Sequence, residues 1–181
     1  MNARSSVRRK LTAVLATVAS AAAVVVGAPQ ASAANRDWLR PDSTGMCEWD
    51  RVGFWVQRCT VWSPAMNRHI TVQIQPAQRG GNAGLYMLDG LRATEITNAW
   101  VNDVNAARTF KDNNITLVMP VGGQSSFYTD WNAPATYDFN HPVTYKWDTF
   151  LTKELPPYLQ QHFGVSPTNN SILGLSMGGT A

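Results

Sequence analysis

The chain has 181 residues, with 15 Lys+Arg, 12 Asp+Glu and three histidines, for a formal net charge of +3. At 44% apolar residues and with seven tryptophans, it is too hydrophobic for a disordered chain and long enough for one domain with a packed core. Four of the basic residues (Arg4, Arg8, Arg9, Lys10) open the chain. The rest therefore carries 11 basic against 12 acidic residues, leaving no basic face to suggest a nucleic-acid partner.

In chain order, residues 1–33 read as a secretory signal. A basic start is followed by an uncharged, small-apolar stretch over 11–26 and the Ala31-Ser32-Ala33 cleavage pattern, so the mature chain is expected to begin near Ala34. The alternative, a membrane anchor, fits poorly because the stretch is short, alanine-rich and followed by small residues. No stable membrane anchor is therefore expected, and Arg8-Arg9 leaves a twin-arginine export route open beside the general one. An exported protein of the cell envelope or extracellular space meets an oxidising environment. Cys47 and Cys59, the only two cysteines, are expected to pair there, closing a short loop that stabilises by about 3 kcal/mol in the chain-entropy model. Two cysteines without a nearby histidine or acid cluster make a poor metal site, so no metal and no cofactor are implied.

Residues 54–62 are rich in β-branched and aromatic residues. Residues 70–74 alternate apolar and polar, and 63–68 form the turn of a hairpin between the two. The alternation then stops. Residues 85–88 and 115–119 are continuous apolar runs, as expected of strands covered on both faces. Each run ends in a glycine-bearing loop, Asp89-Gly90 and Val121-Gly122-Gly123. The apolar spacing predicts a helix over 96–110 and a second over 147–163, bent or interrupted at Pro156-Pro157. A turn at Asn169-Asn170 feeds a last apolar run. The order hairpin, strand, helix, strand, helix, strand is the signature of an α/β sheet with right-handed crossovers, whose ligands bind beyond the carboxyl ends of the strands.

At that edge stands Gly174-Leu175-Ser176-Met177-Gly178, a G-x-S-x-G elbow in which a serine sits on a tight strand-to-helix turn. The pattern marks Ser176 as a nucleophile. One oxyanion donor is expected from the backbone N–H of Met177, and a second from the loop Asp89-Gly90-Leu91-Arg92. A serine hydroxyl needs a base, and in the fold that carries this elbow the acid and histidine follow the serine in the chain. His69, His141 and His162 all precede it, and each reads more simply as a solvated or packing histidine. Residues 34–181 are thus expected to be the N-terminal portion of one α/β domain of a longer enzyme, lacking the triad acid and histidine and inactive by itself.

Four blocks carry a family likeness: "YMLDGLRA" at 86–93, "VMPVGGQSSFYTDW" at 118–131, "TYKWDTFLTKELPPYL" at 144–159 and "LGLSMGG" at 173–179. In these the chain resembles the secreted mycolyltransferases of the antigen 85 family. The resemblance implies an α/β-hydrolase fold and a serine that takes a mycoloyl group from trehalose monomycolate. That group passes to a second trehalose ester or to cell-wall arabinogalactan. By motif, Ser176 is similar to the acyl-accepting nucleophile. The N–H groups of Met177 and Leu91 match the oxyanion hole, and Asp89 and Arg92 match residues that hold trehalose hydroxyls. On their own chemistry, Asp89 also reads as a turn former beside Gly90, and Arg92 as a solvated charge. The likeness has departures. Several members carry a cysteine pair in the loop equivalent to 132–143, which here has none, and 107–117 does not resemble the fibronectin-binding stretch of some members. A secreted carboxylesterase of the same fold, with water as acceptor, is the rival function. A non-catalytic wall-binding protein is the other.

Overall fold

The structure is a computed structural model and describes residues 39–136 and 139–181. The expected secretory segment and its cleavage site lie outside the described residues. Six strands form one mixed sheet: β1 (Cys47–Trp49), β2 (Gln57–Ser63), β3 (Arg68–Gln75), β4 (Gly84–Leu88), β5 (Thr116–Pro120) and β6 (Asn170–Gly174). They lie side by side in the order β1-β2-β3-β5-β4-β6. The first three are antiparallel, and β3 meets β5 antiparallel. Strand β4 lies parallel to both β5 and β6, the order and direction of an α/β-hydrolase sheet. Both crossovers therefore return to the same edge, and the loops after β4, β5 and β6 gather there.

The hairpin forms as its alternation predicts, with Val61 opposite Ile70 and Cys59 opposite Val72. Strand β1 is an addition that three residues of sequence do not announce. It zips onto β2 with Cys47 facing Cys59, and these two cysteines form the disulfide, their Cα atoms 4.0 Å apart. The bond thus joins directly opposed residues of one ladder.

The two apolar runs do what unbroken hydrophobicity implies. Every residue of β5 is buried, and Tyr86, Met87 and Leu88 of β4 are at most 6% exposed. On one face Val72, Ile74, Tyr86, Leu88 and Val118 pack under Trp147, Phe150, Leu155, Leu159 and Phe163. On the other, Met87, Leu117 and Met119 meet Val101 and Ala106. Each fully buried large side chain contributes about 1.5–3 kcal/mol.

The expected helix over 96–110 is two short ones, α1 (Ala99–Asn102) and α2 (Ala106–Phe110). The reason is capping. Asn98 and Asn105 each accept a backbone N–H two or three residues ahead, from Trp100 and Arg108, and Asn105 takes a left-handed φ of 51°. The segment over 147–163 stays helical throughout, as α3 (Trp147–Thr149), a π turn (Phe150–Glu154) and α4 (Leu155–Phe163). The adjustment expected at the prolines falls one turn earlier. Pro156 and Pro157 lack N–H groups, and their rings crowd carbonyls four residues back, in a segment the wider π turn spreads.

Candidate active site

Strand β6 delivers Ser176 to the carboxyl edge, where a one-turn 3-10 helix (Ser176–Gly179) begins. Ser176 is held at a left-handed φ of 52°, a region costly for any residue with a Cβ. The flanking glycines explain how the turn closes. A Cβ on Gly174 would sit 1.9 Å from the carbonyl oxygen of Gly178. A Cβ on Gly178 would sit 2.7 Å from the carbonyl oxygens of Leu88 and Asp89. Side chains at either position are excluded by backbone, and the elbow packs directly onto the end of β4.

That packing brings the predicted residues onto one cavity except Met177, which is 3% exposed and does not line it. Asp89, Gly90, Leu91, Arg92, Leu175 and Ser176 share the lining of one cavity of about 390 Å³, with Thr94, Thr97, Asn102 and Asp103 along its wall. Among the described residues neither the Leu91 nor the Met177 backbone N–H has a hydrogen-bond partner. An unengaged backbone N–H is the kind of donor that an oxyanion takes.

Asp89 is committed to the backbone. It is 6% exposed; one carboxylate oxygen accepts the Gly90 N–H at 2.6 Å, and the other accepts the Ala99 N–H at 2.9 Å, at the start of α1. The carboxylate thus shapes its own turn and steadies α1, and its remaining lone pairs are what it can offer a ligand. Arg92 is exposed and forms no ion pair among the described residues.

Several supports were not singled out by the sequence. The Asp89 N–H donates to the Tyr128 hydroxyl at 2.8 Å, and burial pushes the Tyr128 phenol well above its ordinary range. The Met177 sulfur accepts the Phe127 N–H at 3.2 Å. Asn98, wholly buried, donates to the carbonyls of Met87 and Pro120 and accepts from Trp100, tying β4, β5 and α1 together below the cavity. The loop that supplies Phe127 and Tyr128 holds Ser125, Phe127 and Tyr128 at positive φ. Asp130 closes it by accepting from Thr149 at 2.7 Å; burial works against that carboxylate, but the Thr149 hydrogen bonds and nearby Lys146 hold it below its usual range.

No histidine lines the cavity. His69 packs edge-on against Trp62 at 4.9 Å, His162 against Tyr158 at 4.6 Å, and His141 is exposed in the 132–143 loop. Among the described residues no cluster of three or more His, Cys, Asp or Glu is arranged to hold a metal ion. No described helix is long and apolar enough to cross a membrane.

The model of the family described as Esterase matches residues 63–181. The chain is 50% identical over 131 residues to the diacylglycerol acyltransferase/mycolyltransferase Ag85B of Mycolicibacterium smegmatis, covering 72% of this chain and 40% of that relative. It is 43% identical over 129 residues to Ag85C of Mycobacterium leprae, covering 71% and 38%. The chain thus spans about two fifths of the length of the curated relatives it matches. Among solved structures it resembles MPT51 of Mycobacterium tuberculosis, with a TM-score of 0.59, 33% identity, and coverage of 68% of this chain and 42% of that one. An S-formylglutathione hydrolase from Agrobacterium tumefaciens shares the fold at a TM-score of 0.57 and 19% identity, over 74% of this chain and 53% of that one.

Proposed function

Because the chain belongs to the Esterase family, we propose that it carries the nucleophile half of a secreted serine acyltransferase that moves mycoloyl groups between trehalose esters or onto cell-wall arabinogalactan. The observation that carries this reading is Ser176 at its left-handed φ, lining one cavity with Leu91, whose backbone N–H is unengaged, as is that of Met177 next to Ser176 in the chain. The 43–50% identity to the Ag85 mycolyltransferases supports the acyl class. In the first half-reaction the Ser176 oxygen attacks the ester carbonyl of trehalose monomycolate. A base takes its proton, the two N–H groups hold the oxyanion, and trehalose leaves with the proton returned to it. In the second, an acceptor hydroxyl takes the acyl group and frees Ser176. No histidine stands among the residues lining the Ser176 cavity to serve as that base. Residues 1–33 direct export.

Asp89 favours a second reading. Its carboxylate already holds two backbone N–H groups, which weakens it as a grip on sugar and leaves room for water as acceptor, the chemistry of a carboxylesterase. Two variants of the complete enzyme decide. Ser176→Ala is expected to drop transfer by several orders of magnitude with substrate still bound; retention of a tenth of the activity removes Ser176 from its role. Arg92→Ala is expected to cut transfer to trehalose about ten- to a hundredfold while acylation by a small activated ester holds. If both rates fall together, Arg92 supports the oxyanion loop instead. If neither falls, Arg92 is a solvated charge and the esterase reading gains.

A further inference from the structure

Away from Ser176, the β1–β2 corner carries features that the proposed chemistry does not use. The loop joining the two strands holds two bulky residues in the left-handed region, Phe54 at φ 51° and Trp55 at φ 65°. Such conformations are costly for a residue with a Cβ and persist only where the surroundings impose them. Here they leave Trp55 49% exposed beside Trp49, itself 44% exposed, with the two rings edge-to-face at 6.2 Å and 66°.

Two cavities adjoin at this pair. One of about 440 Å³ lies against Trp49, Phe54 and Trp55. The other, of about 500 Å³, is polar, bounded by Glu48, Asp50, Arg51, Arg58 and Glu95, and shares Trp49 and Asp50 with the first. Its floor is rigid. The Asp50 side chain is only 6% exposed and accepts from Gln73 at 2.8 Å, from Arg58 at 3.2 Å and from the Val52 N–H at 3.0 Å. The lining holds Glu48, Asp50 and Glu95 against Arg51 and Arg58, and Glu95 is paired at 2.8 Å to Arg68 outside the lining, so its charge is balanced there. A balanced set of acceptors and donors suits neither an anion nor a cation. It suits a neutral polyol, whose hydroxyls both donate and accept, while the C–H face of a pyranose lies on the electron-rich face of an indole.

We propose that the Trp49–Trp55 corner is a carbohydrate-binding site that takes a neutral hexopyranoside on the indoles, with its hydroxyls toward Asp50 and Arg58. The two indoles, Asp50 and Arg58 lie ahead of residues 63–181, with Glu95 and Gln73 of that segment completing the polar cavity, and the corner is assigned whether or not Ser176 is catalytic. Its strand β1 is the sheet edge opposite β6.

The test is titration of the disulfide-intact chain with trehalose and with maltohexaose, followed through the indole N–H resonances. The Trp49 and Trp55 signals are expected to shift saturably with either sugar. Trp55→Ala and, separately, Trp49→Ala are expected to weaken binding about tenfold or more with the circular dichroism of the fold retained. Ser176→Ala and Arg92→Ala are expected to leave these shifts unchanged. No shift with either sugar up to its solubility overturns the proposal. So does loss of the shifts in Arg92→Ala, which would seat the sugar at the Ser176 cavity, or a response to a sulfated saccharide alone, which would make the corner an anion site.

Discussion

At the scale of single residues, the elbow is decided by hydrogen atoms that stand where methyl groups cannot. Gly178→Ala would drive a Cβ to 2.7 Å from the backbone oxygens of Leu88, the last residue of β4, and Asp89, which have nowhere to yield except by moving both residues and with them the Leu91 loop. Gly90→Ala, by contrast, would place its Cβ 3.8 Å from the Leu175 oxygen and the Ser176 Cβ, an ordinary contact. In the complete enzyme the first is expected to lose covalent labelling of Ser176 by an activated ester and to destabilise by about 1–3 kcal/mol, the second to keep both within a factor of a few. Equal labelling by the two variants would show that the elbow tolerates a wider turn. These glycines were legible because the motif is itself a steric statement about neighbours in sequence. Tyr128 was not, since its hydroxyl serves the N–H of Asp89 from 39 residues away and no local pattern encodes that distance. Asn98 escaped for a related reason: it reads as a helix cap, and is one, but its amide also bridges the ends of β4 and β5.

Among the elements, periodicity was a good guide where one face is wet and a partial one where capping intervenes. The 70–74 alternation fixed a strand and its register, because a slip by one residue would turn Val72 and Ile74 out of the core. The 96–110 spacing overstated a helix because two asparagines offered the backbone competing hydrogen bonds. Strand β1 is three residues long, too short to carry a period. It is held by its pairing with β2, by the Cys47–Cys59 bond and by the Met46 carbonyl accepting the Thr60 N–H at 2.8 Å. Reducing that bond is expected to lower the stability of the chain by about 2–3 kcal/mol and to speed amide exchange first in residues 47–49. Urea melts with and without reductant measure the first, and exchange by mass spectrometry the second. Coincident melts would mean that backbone pairing alone secures β1.

For the whole molecule, two features set its behaviour in solution. Burial raises the phenols of Tyr86 and Tyr158 from 10.0 to about 12, and that of Tyr128 further. A folded pKa above the unfolded one means that the fold prefers the neutral phenol. This stability is complete below pH 10 and is lost as the pH climbs from there through about 12. Tyrosinate absorbance is therefore expected to rise together with unfolding in this window; full ionisation in a still-folded chain would contradict it. The second feature is the unequal pair of sheet edges. Edge β1 is blunted by its three-residue length, by Glu48 and by the disulfide. Edge β6, outermost among the described strands, has Asn-Ser-Ile-Leu-Gly with neither charge nor proline, and Ile172 is 71% and Leu173 39% exposed. Its outer backbone groups and apolar side chains form a template for a further strand. The 181-residue chain is accordingly expected to self-associate with rising concentration, edge to edge through β6, in sedimentation velocity. Ile172→Lys sets a charge on that edge and, at 71% exposure, disturbs no core contact, so it should return the chain to monomer with its melting temperature nearly unchanged. Association that persists in Ile172→Lys would move the contact elsewhere, and the exposed Trp49–Trp55 pair would be the next surface to charge.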